Sequence, residues 1–330
     1  MFTKVIQHEN QTSAVMKLDF EKYPGPIFAT DGSIAWSRTH SQVPVVLAID
    51  EDTLRVYYAT RDDHNISRVS YFDVSANNPA KVLYRHNEPI LEPGPLGSFD
   101  DAGVMPTCAI WSNGQIFLYY IGWAVRASVP FQNSVGIAAS SDGINFSRVV
   151  PGPTLGTGPH DPYFVGTTWV ENNNNKIFSA YYMSCCGWLN EQDKPEPVYD
   201  IKYAQSRDGI NWQRDGTIII ARDEIDQAIA SATIFSEKRS SHILYCSRQA
   251  YDYRSKKGVS YRIRIATRAE DGSWRKSSEE RFVPSGRKGD WDEGMQAYPY
   301  VVRTDKNVYL FYNGNGFGQS GIGFGRILFD

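Results

Sequence analysis

Short apolar runs alternate with polar turns along the whole chain, and one composite pattern comes back five times. Its copies begin "VPVVLAIDEDTLRVYYATRD" at Val43, "MPTCAIWSNGQIFLYYIGW" at Met105, "DPYFVGTTWVENNNNKIFSAYYMSCCGW" at Asp161, "SATIFSEKRSSHILYCSRQ" at Ser231 and "YPYVVRTDKNVYLFYNGNG" at Tyr298. Each holds two β-rich runs parted by turn formers such as "NG", "NNNN" or "DKN", which is the signature of a hairpin. A third run follows every hairpin: "SRVSYFDVS", "SVGIAASSDG", "DIKYAQSRDG", "YRIRIATRAEDG" and "GIGFGRILFD". Fourth runs follow as "KVLYR", "FSRVV", "WQRDG" and "WRKSS", and the fifth copy stops without one.

The phrases "SSDGINF" and "SRDGINW" sit between third and fourth runs, with Asp142 and Asp208 66 residues apart and Asp271 of a degenerate "AEDGSW" another 63 on. No segment has a helical period. Five units of four antiparallel strands predict an all-β, five-bladed propeller, a single domain over 1–330 with blades near 30–85, 100–150, 158–215, 226–278 and 291–330. An N-terminal strand, "AVMKLDF" or "FTKVIQ", is expected to supply the missing fourth strand and close the ring. A β-sandwich with a second β domain fits five regular copies less well.

Composition agrees with strands and turns: 13% of residues are aromatic, with 20 Tyr and 8 Trp beside 27 Gly and 17 Pro. The formal charge of −3 offers no basic field for nucleic acid. No apolar run reaches the roughly 18 to 20 residues of a membrane span, and the N-terminus lacks the apolar core of a secretion signal. A soluble cytoplasmic chain without a nucleic-acid or membrane partner is expected. Cys108, Cys185, Cys186 and Cys246 should then be reduced, and no ligand set for zinc or any other cofactor is present. Nothing in the pattern specifies an oligomer.

Strand direction decides which residues can meet. If the innermost strand of each blade leaves one face, the second returns to it, and the Asp-Gly turns fall on the opposite face. A pocket on the first face is then lined by one lead-in segment from each blade. Those segments are "WSRTHSQVP", "SFDDAGVMP", "GTGPHDP", "DEIDQAIASA" and "DWDEGMQAYP", which bring His40, Asp100 with Asp101, His160 with Asp161, Asp226, Asp292 with Glu293, and Tyr298. The returning strands end near Arg61, Trp123 with Arg126, Trp188, Arg248 and Asn313. Carboxylates, aromatic faces, guanidinium groups and amides together suit a sugar.

The recurrent "S-x-D-G-I-N-W" phrase and the Asp161-Pro162 pair in "GPHDPYF" resemble the five-bladed propeller glycosidases. That group holds arabinanases and β-xylosidases, invertases and levansucrases, and β-mannoside phosphorylases, and the resemblance runs over essentially the whole chain. It implies three carboxylates at the starts of three consecutive inner strands, and only Asp161 matches residue for residue. Val43, Met105, Ser231 and Tyr298 stand in the other copies of that column. The phrases "FDDAGVMP", "WDEGMQAYP" and "LFYNGNGFG" are similar to a divergent branch that accompanies bacterial surface-sugar pathways.

The resemblance implies a glycoside hydrolase with Asp101, Asp161 and Glu293 as catalytic carboxylates. His40, Arg61, Trp123, Arg126, His160, Trp188, Asp226, Arg248, Tyr298 and Asn313 are then expected to contact substrate. Phosphorolysis or transfer on an anionic or activated sugar, with Arg61, Arg126 or Arg248 holding the anion, is the second expectation. A non-catalytic sugar-binding propeller of a surface-polysaccharide pathway is the third. Bland alternatives accompany several residues: Asp161 as a strand cap, Trp123 and Trp188 as packing, and His160 as a loop hydrogen bond.

Overall fold

The computed structural model describes residues 18–329 apart from 174–176, 192–193, 239 and 257. "FTKVIQ" and the first part of "AVMKLDF" lie outside the described residues. The chain enters on β1 (Leu18–Lys22) and then forms antiparallel units of four strands. The first is β2 (Thr39–Ala48), β3 (Thr53–Arg61), β4 (Ser67–Ser75) and β5 (Val82–Arg85). The second is β6 (Gly103–Ser112), β7 (Gln115–Val125), β8 (Phe131–Ser140) and β9 (Ser147–Arg148).

The third comprises β10 (Val165–Asn173), β11 (Ile177–Glu191), β12 (Lys194–Ser206) and β13 (Trp212–Gln213), with β14 (Ile218–Ile220) as an unforeseen extra edge on β12. The fourth is β15 (Ala228–Glu237), β16 (Ser240–Arg248), β17 (Arg262–Arg268) and β18 (Trp274–Lys276). In the last unit β19 (Ala297–Arg303), β20 (Val308–Asn313) and β21 (Ile322–Phe329) are joined by β1, which pairs with β21 from Leu18 opposite Phe329 to Lys22 opposite Gly325. One helical turn, α1 (Asn315–Gly318), interrupts the β20–β21 connection.

The first strands β2, β6, β10, β15 and β19 pack on one another in that order, and β19 also packs on β2. Apolar side chains fill the seams, as where Cys108, Tyr119 and Ile137 meet Val165, Phe178 and Ala204. No helix among the described residues is long and apolar enough to cross a membrane.

The doubled phrase lies in these seams. The Asp142 carboxylate accepts from the Ile144 and Asn145 amides at 2.8 Å each, and Asp208 repeats the arrangement with Ile210 and Asn211 at 2.9 and 2.8 Å. Those hydrogen bonds hold both acids well below the usual carboxylate range. The turn glycine carbonyls face the preceding unit: Gly143 accepts from Tyr57 Oη at 3.1 Å and Gly209 from Tyr119 Oη at 3.0 Å. Phe146 and Trp212 meet the same two tyrosines edge-on, with centroids 5.8 and 6.2 Å apart.

A second repeat, inside each unit, is invisible as a phrase. A residue in the lead-in loop bonds the second strand and, in four units, a cation from the outermost strand or from the residue just past it. In the second unit Asp100 accepts from Tyr120 Oη at 3.2 Å and from Arg148 Nη2 at 2.7 Å. Asp161 accepts from Tyr182 Oη at 3.1 Å, Ser184 Oγ at 2.7 Å and Arg214 Nη1 at 2.8 Å. Asp226 meets Tyr245 at 3.4 Å, Ser247 at 2.7 Å and Lys276 at 3.4 Å. Asp292 meets Tyr312 at 2.9 Å and Lys22 at 2.7 Å.

The first unit keeps the place with Ser37, whose hydroxyl lies 2.9 Å from Thr60 Oγ1. Asp100 and Asp292 are 1% exposed and Asp161 and Asp226 0%, so each carboxylate relies on these donors for its charge.

In the last unit the cation comes from β1, so the Lys22–Asp292 pair ties the start of the chain to its end. Lys22→Met strands a buried carboxylate and should lower unfolding free energy by about 3 kcal/mol, read from urea unfolding. The double variant Lys22→Met, Asp292→Leu should recover part of that loss. An unchanged urea midpoint in Lys22→Met would show that the pair does not fasten the ends.

Candidate functional site at the inner-strand starts

Every first strand slips register near its beginning. The slips put His40, Val43, Ser231 and Tyr298 at positive φ, 62°, 54°, 51° and 56°. Such conformations cost about 1–3 kcal/mol each and persist where the surroundings over-determine them. Here the surroundings are staples from neighbouring units: Asn313 Oδ1 accepts from the Val43 amide at 3.0 Å, and Thr167 Oγ1 from the Ser231 amide at 2.9 Å. Strain gathered at one end of packed first strands marks that end as the candidate site.

The buried lock residues fix the alignment of the five lead-ins. The fifth and sixth residues after each lock are Gln42-Val43, Met105-Pro106, Gly166-Thr167, Ser231-Ala232 and Ala297-Tyr298. None is a carboxylate. Asp161 therefore does not occupy the inner-strand start at which an Asp-Pro was expected. It precedes β10 by four residues and is the third member of the lock column.

Cationic side chains stand near the inner-strand column, at the end of a second strand and in a loop. Arg61, at the end of β3, is half-buried, and no carboxylate among the described residues pairs with it. The Gln42 carboxamide, oriented with its oxygen 3.3 Å from Arg61 Nε, donates its nitrogen to the Phe317 carbonyl at 3.2 Å. Burial lowers the proton affinity of Arg61; the Tyr298 hydroxyl opposes this and the nearby Arg254 adds to it. Burial raises the Tyr298 phenol, so it is a neutral donor. Burial, and then Arg61, push His40 down to about 4, so its ring is neutral near pH 7.

Arg254 lies in the long β16–β17 loop, 3.4 Å from Glu196 and over the rings of Tyr253 (4.5 Å) and Phe317 (5.6 Å). That loop is fixed from below by Arg248. Its guanidinium donates to the carbonyls of Gln249, Ala250 and Pro197 at 2.8, 3.0 and 2.8 Å and lies 3.6 Å from the centre of the Tyr253 ring.

Several anticipated ligand contacts are structural instead. Asp161 and Asp226 are sealed in their locks; Asp226 also meets Arg262 at 3.5 Å and Arg264 at 3.2 Å, and Asp161 meets Lys202 at 3.3 Å. Arg248 is 0% exposed and binds main-chain oxygens where a carboxylate or substrate was expected. Asn313 is consumed by the Val43 staple. Trp123 donates to Ser67 Oγ at 3.0 Å and covers Gly103, where a Cβ would come within 2.3 Å of its ring nitrogen. Trp188 packs edgewise on Phe131 and at a tilt on Phe164, with centroids 5.5 and 5.6 Å away. His160 is exposed beside Gly216, past the outermost strand of its unit, and its carbonyl accepts from Lys202 Nζ.

Asp101 and Glu293 remain reachable but are not brought together. Each accepts an amide four residues back, from Gly97 and Gly289, at 2.9 Å in both cases. Asp101 lines a cleft of about 610 Å³ with Arg126, Gln132 and Ser134, whereas Glu293 lines one of about 280 Å³ with Arg254 and Lys256. Gln42, Arg254 and Phe317 are not marked by the sequence as ligand contacts. For Arg254 a signal existed: "YDYRSKKG" is a basic insertion in the fourth hairpin-to-third-strand connection, longer than its counterparts in the first two units.

No family model matches the chain. Uncharacterized protein Rv1502 of Mycobacterium tuberculosis is 32% identical over 301 residues, 91% of this chain and 96% of that protein. The 1,2-beta-oligomannan phosphorylase of Thermoanaerobacter sp. (strain X514) is 28% identical over 168 residues, 48% of this chain and 50% of that enzyme. Among solved structures, one described under the GH130 family of mannoside phosphorylases, containing glycoside hydrolases that target beta-1,2 mannosidic linkages in Candida mannan, superposes with TM-score 0.66 at 16% identity, covering 97% of this chain and 96% of that one. A thermostable family-43 glycoside hydrolase superposes with TM-score 0.59 at 14% identity, covering 92% of each chain.

The neutral His40 makes stability depend on pH. Its folded pKa of about 4 lies below the ordinary 6.5, so the unfolded chain takes the proton first as pH falls. The stabilisation is complete above about 6.5 and disappears between there and about 4. At 1.36 kcal/mol per pH unit this amounts to about 3 kcal/mol. Urea unfolding at pH 7 and pH 4.5 should show a loss that His40→Gln reduces by about that amount; identical losses in both proteins would refute the assignment.

Proposed function

The chain belongs to the family of the mycobacterial protein Rv1502 and has the fold of the glycosidase-like propellers, and from that premise we propose that it acts on a carbohydrate whose anionic partner or substituent is held at Arg61. The five units are read as blades of one closed ring over the whole chain, with β1 as the last strand. The β19–β2 packing and the Lys22–Asp292 pair support that reading. The carrying observation is Arg61 itself: a half-buried guanidinium with no carboxylate partner among the described residues, near a second arginine, at the end of β3.

Hydrolysis by the usual route requires two carboxylates flanking one bond, about 5 to 9.5 Å apart. Asp161 is closed off in its blade, and Asp101 and Glu293 line separate clefts. Phosphorolysis asks for less. An oxygen of inorganic phosphate forms the new bond to the anomeric carbon, the glycosidic C–O bond breaks, and one acid gives its proton to the leaving oxygen. Arg61 and Arg254 would neutralise the phosphate, Tyr298 and Gln42 would orient it, and Glu293, which shares a cleft with Arg254, would supply the proton. The part-length likeness to an oligomannan phosphorylase favours this branch. The free state of Cys108, Cys185, Cys186 and Cys246 suits action in the reducing cytoplasm.

The lack of any acid in the inner-strand column favours a second reading, a binding module that holds such a glycan unchanged.

Incubation with β-mannosides and other oligosaccharides, with and without inorganic phosphate, separates these. Formation of sugar 1-phosphate is expected, and Arg61→Ala should reduce it by about 100-fold with an unchanged melting temperature. Phosphate-independent cleavage would restore hydrolysis, and tight binding without cleavage would establish the module. Asp161→Asn should lower stability by about 3 kcal/mol and affect turnover no more than the folded fraction requires. Loss of turnover in a fully folded Asp161→Asn protein would return Asp161 to catalysis.

A further inference from the structure

The cleft of about 610 Å³ in the second unit lies within the range of small-molecule sites, and neither Arg61 nor Arg254 is in its walls. It opens where β7 ends and β8 begins. There Ala124 stands opposite Gln132 and Gly122 opposite Ser134, and residues directly opposite in paired strands share a face. Two small residues beside two polar ones leave that face open. The other wall is the lead-in loop, whose course is set by the Asp100 lock and by the Ala102 amide, which donates to the Trp123 carbonyl at 3.1 Å. The loop brings Phe99 and Asp101. Phe99 lies against Gly122, where a Cβ would come within 2.6 Å of its ring, and stacks on Tyr120 with centroids 6.1 Å apart.

The polar groups of this cleft are positioned but unused. Ser134 is only 7% exposed, yet its hydroxyl keeps open surface in the cleft and has no hydrogen-bond partner among the described residues. The side chains of Gln132 and Arg126 have none there either. Asp101 spends one oxygen on the Gly97 amide at 2.9 Å and keeps the other, and it forms no ion pair with Arg126. Side chains this deeply set are usually hydrogen-bonded within the protein. An acceptor-only carboxylate, a donor-only guanidinium and two groups that do both complement hydroxyls, each of which donates and accepts. The charges of Asp101 and Arg126 cancel, so the cleft does not select an ion, and Phe99 offers an apolar wall.

We propose, resting on the carbohydrate reading above, that this cleft is a subsite for one neutral sugar residue. Asp101 accepts from its hydroxyls, Arg126 donates to them, Gln132 and Ser134 do either, and Phe99 meets the C–H face of the ring. Binding here needs neither phosphate nor Arg61.

Saturation-transfer NMR titration of the full-length protein with the methyl α- and β-glycosides of mannose, glucose and galactose tests it. At least one should bind with millimolar affinity, with or without inorganic phosphate. Ser134→Ala and Gln132→Ala should each weaken that glycoside about fivefold and Asp101→Asn about tenfold. Ala124→Phe, which fills the open face, should remove the binding, whereas Arg61→Ala should spare it. Ser134→Ala should melt at the wild-type temperature, since the hydroxyl bonds nothing in the free protein, and that result excludes misfolding as the cause of weaker binding. No binding of any of these glycosides at tens of millimolar, tighter binding of glucuronate or glucose 6-phosphate than of the neutral sugars, or affinity indifferent to the four cleft substitutions overturns the subsite. Binding lost in Arg61→Ala but kept in the cleft variants also overturns it and leaves the axial reading in place. Cleft binding intact in a protein that forms no sugar 1-phosphate upholds the subsite and counts against the axial reading alone.

Discussion

Four buried carboxylates hold this molecule in shape. Asp100, Asp161, Asp226 and Asp292 each sit where water does not reach, and each is satisfied by a tyrosine of the second strand and a cation from the outermost one or, for Asp161, from the residue just past it. A charge in that position is destabilising unless its partners are in place. The lock thereby dictates how the lead-in loop crosses its unit, and the loop in turn dictates where the first strand begins. Substitution of Ser37 and Thr60 in the first unit keeps the same crossing with neutral groups. Everything at the inner-strand starts inherits its position from these contacts.

With the locks fixed, the inner starts are free to differ. Cross-unit staples hold strained residues there, and side chains in equivalent places range from Gln42 to Met105 to Ser231. Positive charge gathers around Arg61 and Arg254, while Arg248, deeper and fully buried, spends its donors on main-chain carbonyls and so fixes the loop that carries Arg254. Similar residue types thus have opposite duties within one four-stranded unit: one arginine supports and the other presents.

Much of the fold was legible because its signals are local. The third run "SRVSYFDVS" is β4 to the residue, and "KVLYR" and "WRKSS" contain β5 and β18. The turns of "SSDGINF" and "SRDGINW" lie in the seams, with Phe146 and Trp212 packed on tyrosines of the preceding unit. The site was less legible. Asp161-Pro162 reads like an inner-strand start, yet pairing with β11 begins only at Val165 and slips again before Thr168, and both are set across the sheet. Trp123, Trp188 and Arg248 stand at strand ends that point toward the site, and only packing reveals that neighbouring side chains and carbonyls already occupy them.

The sequence by itself determined the all-β class, the repeat, the strand order within each unit and the need for an N-terminal strand, since alternation and turn chemistry act over a few residues. Tertiary structure decided which acids are supports and which can meet a ligand. A carboxylate's duty depends on whether a distant cation reaches it, and Lys22 with Asp292 or Arg148 with Asp100 are joined by the closing of a sheet, not by any spacing along the chain.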